Sequence, residues 1–114
     1  MVKVFTTSRF RISKRAVTSY AKGYLQKYGV HDSYDMNIVF IGSRKMRSVA
    51  KKYKGEDKVL PVLSFPYADD ELKFLGEIFI CYPQLVLLAA ERDKTIDQTA
   101  EQLVKHGIDT IMKA

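Results

Sequence analysis

Asn37-Ile38-Val39-Phe40-Ile41-Gly42-Ser43-Arg44-Lys45-Met46-Arg47 contains a strand followed at once by a helix, and the fold is read outward from it. Residues 37–41 are a continuous run dominated by β-branched and aromatic side chains, the pattern of a strand covered on both faces. Gly42 turns the chain and Ser43 is placed to cap a helix whose inward positions are Met46, Val49, Ala50 and Tyr53. Arg44, Lys45, Arg47, Lys51, Lys52 and Lys54 fall outside that stripe, and Gly55 ends the helix. With six cations and no acid, the helix has no i,i+4 pairs to relieve its repulsion, which makes it a candidate phosphate-contact surface rather than a merely solvated one.

Upstream, Val2 to Thr6 alternates apolar and polar residues as a half-buried strand does. Ser13 opens a helix to about Tyr28 with Ala16, Val17, Tyr20, Ala21, Tyr24, Leu25 and Tyr28 on one stripe, stopped by Gly29. Tyrosines at this spacing belong to a core face more often than to a base-stacking one. Downstream, Val59 to Phe65 reads as a third strand, and Pro61 within it requires a sheet edge or a bulge. Pro66 to Glu71 reads as an acidic loop, and Leu75 to Cys81 as a fourth strand. Pro83 suits the first turn of a helix whose run Leu85 to Ala90 is apolar on nearly all sides, so a central position is expected. Thr95-Ile96-Asp97-Gln98 is a capping box opening a last helix with Ile96, Ala100, Leu103, Val104, Ile108 and Ile111 inward. The order β-α-β-α-β-β-α-α defines an α+β fold: a single small domain over residues 1–114 with one roughly four-stranded mixed sheet packed with helices.

At 114 residues, 46% hydrophobic and 28% charged, the chain is long enough to build a core without staples. No apolar run approaches the roughly 20 residues of a membrane span, and no signal core follows Lys3 and Arg9, so a cytoplasmic protein without a membrane partner is expected. A lone cysteine, Cys81, excludes an intrachain disulfide and reads as a small buried hydrophobe. The net charge of +6 is uneven: residues 1–54 hold 13 basic and 2 acidic side chains, residues 55–114 hold 6 and 11. A basic half of this kind favours a polyanionic partner.

Few residues invite catalysis. His106 lies on the last helix, with Gln102, Asp109 and Thr110 at neighbouring positions on its side. Two histidines at i and i+4 chelate zinc, but position 110 is a threonine, a poor ligand. His31 reads as a loop residue, and two histidines exclude a metal site built from histidine alone. Asp69-Asp70-Glu71 raises a metal site only weakly against solvation. Glu77 interrupts an apolar strand and lies either in solvent or in a cleft.

Residues 37–47 resemble the strand and basic helix of the YbeY family of rRNA maturation factors. Tyr53-Lys54-Gly55-Glu56-Asp57-Lys58 with Val62-Leu63-Ser64-Phe65-Pro66 is similar to that family's most distinctive segment, Leu75 to Cys81 to its next strand, and His106-Gly107 to the start of its metal motif. The resemblance implies a single-strand-specific metallo-endoribonuclease with a basic cleft, a zinc held by three histidines in His-Gly-x-x-His plus a third six residues on, and an arginine in a Tyr-Arg-Gly turn. Here the first ligand falls on His106, the second on Thr110 and the third beyond Ala114. The arginine falls on Lys54, the polar residues before Val-Leu-Ser-Phe-Pro on Val59-Leu60-Pro61, and the aspartate after Leu-Gly on Glu77.

The expectation that follows is a YbeY-like RNA-binding factor in rRNA maturation or small-subunit assembly, with cleavage weak or lost and no tightly bound cofactor. Arg44, Lys45, Arg47, Lys51 and Lys54 would hold single-stranded rRNA, with His106, Lys54 and Glu77 in a remnant cleft and His106 the remnant of a degenerate zinc site. Two readings stay open beside it: an active single-strand endoribonuclease using His106 and Lys54, and a protein-only module docking on a small-subunit ribosomal protein near Pro61.

Overall fold

The computed structural model describes residues 1–69 and 71–114, with the side chains of residues 68 and 69 also outside the description. Its elements run β1 (Val2–Phe5), α1 (Lys14–Lys27), β2 (Asp35–Ile41), α2 (Ser43–Lys54), β3 (Val62–Asp69), β4 (Phe74–Cys81), α3 (Tyr82–Glu91) and α4 (Ile96–Met112). The sheet order is β1-β2-β4-β3. β1, β2 and β4 are parallel, and β3 returns antiparallel to β4 along one edge. This is the mixed α+β architecture the sequence order implies.

The alternation of side chains divides the sheet into two covered faces. Met36, Ile38 and Phe40 of β2 with Ile78 and Ile80 of β4 pack against α1 (Val17, Ala21, Leu25), α3 (Leu85) and α4 (Ala100, Leu103, Val104, Ile108, Ile111). The opposite positions, Val39 and Ile41, Leu63 and Phe65, Phe79 and Cys81, pack against Met46 and Val49 of α2. β2 and β4 are therefore buried on both sides, which is why residues 37–41 show no polar alternation.

The capping residues behave as their chemistry requires at two of the three helices where they were expected. Ser13 Oγ accepts the amide N–H of Ala16 at 3.1 Å, and Thr95 and Gln98 exchange two bonds of 3.0 Å in a complete capping box. At α2 the cap is Gly42 instead, without a side-chain bond, and Ser43 is the first helical residue. β3 starts at Val62 and continues through Pro66, so Pro61 precedes the strand and residues 66–69 are not loop. The irregularity that a proline demands occurs instead at Pro66, after which the β3–β4 register shifts. β3 is nonetheless an edge strand, where a proline costs least. α3 is not central: Leu85 and Ala89 are buried, while Leu87 is 56% exposed. A short apolar helix at the margin of a small domain has too few neighbours to cover its whole circumference. Tyr53 and Ala16, expected inward, are also exposed.

Gly76 sits in β4 with φ of +152° opposite Pro66. A Cβ built there falls on the carbonyl oxygen of Phe65, well inside van der Waals contact, and 3.1 Å from Ile111 Cδ1. The absence of a side chain is what lets the β3 backbone and α4 close on β4 directly before Glu77.

Candidate nucleic-acid interface and the His106 helix

α2 presents its polar side to solvent. Arg44, Lys45, Arg47, Lys51, Lys52 and Lys54 lie on its outer, solvent-facing side, while Met46 and Ala50 are fully buried beneath them. The helix carries no acid, and among the described residues its one ion pair is the long, exposed contact of Arg47 Nε with Asp57 Oδ1 at 3.9 Å. Such pairs contribute little. Lys52 Nζ lies 5.2 Å from the centroid of the Tyr53 ring. The helix ends on Gly55 at φ +67°, with Gly55 N–H donating to Lys51 O and Glu56 N–H to Ala50 O. This left-handed glycine cap fixes Lys54 as the last helical residue and places Lys51, Lys52 and Lys54 at the negative pole of the helix dipole.

Below the end of α2 an aromatic cleft of about 300 Å³ opens between Tyr53, Phe65, Tyr67, Phe79 and Glu77. Tyr53 meets Phe65 edge-on at 5.2 Å, and Phe65 meets Phe79 likewise at 5.7 Å. Tyr67 Oη donates to Glu77 Oε1 at 3.4 Å, and the negative charge of Glu77 raises the Tyr67 phenol above its ordinary value. Glu77 thus lines a cleft rather than standing alone in solvent, on the α2 side of the sheet. Tyr53 and Tyr67 are 59% and 47% exposed, so each ring keeps accessible surface even with Lys52 over Tyr53 and Phe74 edge-on to Tyr67 at 4.9 Å. The sequence hid this cleft because Tyr53 sits at a helical position that reads as core, and Tyr67 in a segment that reads as loop.

His106 is exposed on α4, on the other side of the sheet. Gly107 explains how it is held: a Cβ there would lie 2.8 Å from two carbons of the buried Ile78. The glycine therefore seats α4 directly on β4. Thr110 Oγ1 donates to the backbone carbonyl of His106 at 2.9 Å, so its hydroxyl is turned onto its own helix. Asp109 is engaged elsewhere. One of its oxygens accepts from Tyr24 Oη at 2.6 Å and Tyr28 Oη at 2.5 Å, the other from Lys105 Nζ at 3.0 Å. These donors hold the Asp109 carboxyl well below the usual carboxylate range, the tyrosines most, while the same bond pushes Tyr28 up to about 12. The tyrosines expected to be either core or base-stacking serve in part as clamps between α1 and α4. Gln102 Oε1 accepts from Arg92 Nη1 at 3.2 Å and so ties α4 to the end of α3.

The structure thus gathers Glu77 with the aromatic cleft beside the α2 cations, and places His106 on the face covered by α4. Among the described residues no group of three or more His, Cys, Asp or Glu side chains is gathered to hold a metal. Asp70 and the side chain of Asp69, from the acidic run raised as a metal site, lie outside the described residues. His31 Nδ1 accepts the Ser33 amide N–H at 3.0 Å in a local turn, and Cys81 is fully buried. Among the described residues no helix is long and apolar enough to cross a membrane.

These features define a small α+β scaffold with a doubly covered mixed sheet and a cationic helix beside an aromatic cleft. The profile of the family described as Endoribonuclease YbeY matches residues 4–109, and the chain belongs to that family. Relatives named Endoribonuclease YbeY include one from Thermodesulfovibrio yellowstonii, 36% identical over 76 residues, covering 64% of this chain and 48% of the relative. Another, from Finegoldia magna, is 31% identical over 80 residues, with 68% and 52% covered. The chain spans about half the length of these curated relatives. The solution structure of a Thermotoga maritima protein superposes with a TM-score of 0.64 at 19% identity, covering 95% of this chain and 69% of that one, which supports the fold.

Proposed function

We propose that residues 1–114 act as one YbeY-like, cytoplasmic domain that binds single-stranded rRNA during rRNA maturation or small-subunit assembly. In this reading its metal-dependent endoribonuclease activity is weak or lost. The observation that carries the proposal is the α2 surface, with outward-facing cations that have almost no acidic partners, beside open tyrosine rings. Phosphates neutralise such a row, and bases stack on such rings. Arg44, Lys45, Arg47, Lys51 and Lys54 hold the backbone, and Glu77 lines the base-accepting cleft with Tyr53, the residue before Lys54.

The family's zinc does not fit the donors present. His106 supplies one imidazole, Thr110 supplies a neutral hydroxyl already hydrogen-bonded to its own helix, and no third ligand stands near them among the described residues. A catalytic zinc uses three protein ligands. His106 is retained in this reading as the remnant ligand, not as a working centre.

The test is electrophoretic mobility shift with single-stranded rRNA fragments at 50 and 200 mM salt. Five phosphate contacts predict a log–log salt slope of about −3.5, or roughly a hundredfold loss of affinity over that range. No binding tighter than about 10⁻⁴ M, the non-specific level, ends the proposal. So does His106-dependent cleavage at an appreciable rate. RNA-independent capture of a small-subunit ribosomal protein, with no RNA binding, replaces it by a protein-docking role.

A further inference from the structure

α1 and α2 leave neighbouring parallel strands in opposite directions. α1 follows β1 onto the face of Met36, Ile38 and Phe40, and α2 follows β2 onto the face of Ile41, Leu63 and Cys81. The carboxyl ends of β1 and β2 therefore flank a topological switch point, where open parallel sheets form a ligand crevice. A crevice of about 780 Å³ opens there, between the β1–α1 loop and the start of α2. Its lining combines apolar Phe10 and Val49 with cationic Arg9, Arg44 and Lys45.

The cations come from two separate elements, and among the described residues none makes an ion pair. Arg44 and Lys45 also occupy the first turn of α2, at the positive pole of the helix, where no acid offsets them. That placement is electrostatically unfavourable in the free protein and is relieved by an anion. The loop carrying Arg9 is held in place. Phe10 stacks on Tyr82 at 4.6 Å and 19°, Arg11 N–H donates to Tyr82 Oη at 3.2 Å, and Phe10 N–H donates to Thr7 O at 3.1 Å. An apolar floor under a cationic rim matches a base or ribose with its phosphate.

We infer that this crevice binds one nucleoside 5′-phosphate unit, its phosphate between Arg9, Arg44 and Lys45 and its base over Phe10 and Val49. The inference rests on the RNA-binding reading only if the unit belongs to an RNA strand. The same chemistry is presented by a free nucleotide, and the experiment separates the two.

The probes are adenosine 5′-monophosphate, adenosine, and a single-stranded RNA decamer with and without a 5′-phosphate, each titrated into the ¹⁵N-labelled full chain. The monophosphate is expected to shift the amides of Thr7, Arg9 and Gly42, with adenosine binding at least tenfold more weakly. Arg9→Glu is expected to weaken monophosphate binding at least tenfold, and Arg9→Lys to restore most of it, with unchanged circular dichroism in both variants. Preference for the 5′-phosphorylated decamer, lost in Arg9→Glu, assigns the unit to an RNA end. Monophosphate binding without any RNA binding supports the crevice as a free-nucleotide site and overturns the RNA reading alone. RNA binding confined to the outer face of α2, with Arg9→Glu neutral and these amides unmoved by every probe, overturns the inference and leaves the RNA reading standing.

Discussion

Replacing Gly76 by alanine separates two opposed expectations for a glycine inside a β-strand. If Gly76 were a neutral position, alanine would stabilise the strand slightly by restricting the unfolded chain. The structure predicts the reverse for two additive reasons. Its φ of +152° lies where a residue with a Cβ is strained, at about 1–3 kcal/mol. The new methyl would also meet the Phe65 carbonyl and approach Ile111 Cδ1 at 3.1 Å. Overpacking costs about 1–3 kcal/mol, and the upper part of that range applies because the obstructing atom is backbone that cannot change rotamer. Together they amount to about 3–6 kcal/mol, or a fall in Tm of about 12–24 °C for a domain of this size.

The assay is thermal and urea unfolding by circular dichroism, with Gly23→Ala as control. Gly23 lies inside α1 with nothing within 4 Å of an added methyl, so that variant is expected to gain up to about 1 kcal/mol from helix propensity. Equal stability of Gly76→Ala and the parent would refute the idea that β3, β4 and α4 meet at this backbone. The consequence reaches the cleft, because Gly76 fixes the segment from which Glu77 projects. On the proposed RNA-binding reading, a partly folded Gly76→Ala protein should lose RNA affinity with a more exposed Tyr67 phenol.

Three further outcomes are expected. Asp109→Asn should lower the urea midpoint at pH 7. Because the folded-state carboxyl titrates below its ordinary value near 4, its stabilisation is complete above that value and disappears as the pH falls through the folded-state titration, so the parent and variant curves should converge in acid. A gap that stays constant with pH would contradict the Tyr24–Tyr28–Lys105 clamp. Thr95→Ala removes one bond of the α4 capping box and should cost about 1 kcal/mol, or about 4 °C in Tm. Chelator should leave the melting curve of the purified chain unchanged, whereas Thr110→His, which adds an imidazole at i+4 from His106, should make Tm rise with added zinc. A parent Tm that falls by several degrees on chelation would show a metal held by donors beyond His106 and Thr110.

The elements were legible because their signals are local. Ser13, the Thr95–Gln98 box, Gly29 and Gly55 mark helix ends through bonds made within a few residues. The apolar run Ile38 to Ile41 marks a strand with two covered faces, and both cores are present. What was not legible depends on distant partners. Tyr53 has the spacing of a buried residue, but α2 lies so that this turn overhangs the cleft instead of the core. The start of β3 falls after Pro61 because its pairing is set by β4, with Val62 opposite Ile80. Asp109 is a sequence neighbour of His106, yet its carboxylate is captured by Tyr24 and Tyr28, 85 and 81 residues away. No periodicity reports such a contact. The crevice at Arg9 is hidden in the sequence for the same reason, since only the sheet order brings the first loop beside Arg44.

The positions at which this chain keeps the family pattern and those at which it departs are physically different. Gly76, Gly107 and Gly55 each satisfy a steric demand of the backbone: a close approach to Phe65, a seat for α4 on Ile78, and a left-handed helix end. Pro66 sits where the edge ladder is already broken. Changing any of these disturbs packing whatever the protein does. Thr110 and Lys54, which stand where the family pattern has a histidine and an arginine, are exposed, and a residue there can change without touching a core contact. The matching glycines and proline therefore account for the shared scaffold and carry no information on catalysis. What the domain does must be read from groups whose present arrangement has no structural purpose. The α2 cations, whose one ion pair among the described residues is Arg47 with Asp57, and the Arg9, Arg44 and Lys45 rim above an apolar floor are such groups: they repel one another in the free fold, and that repulsion is the physical ground for proposing a polyanionic partner.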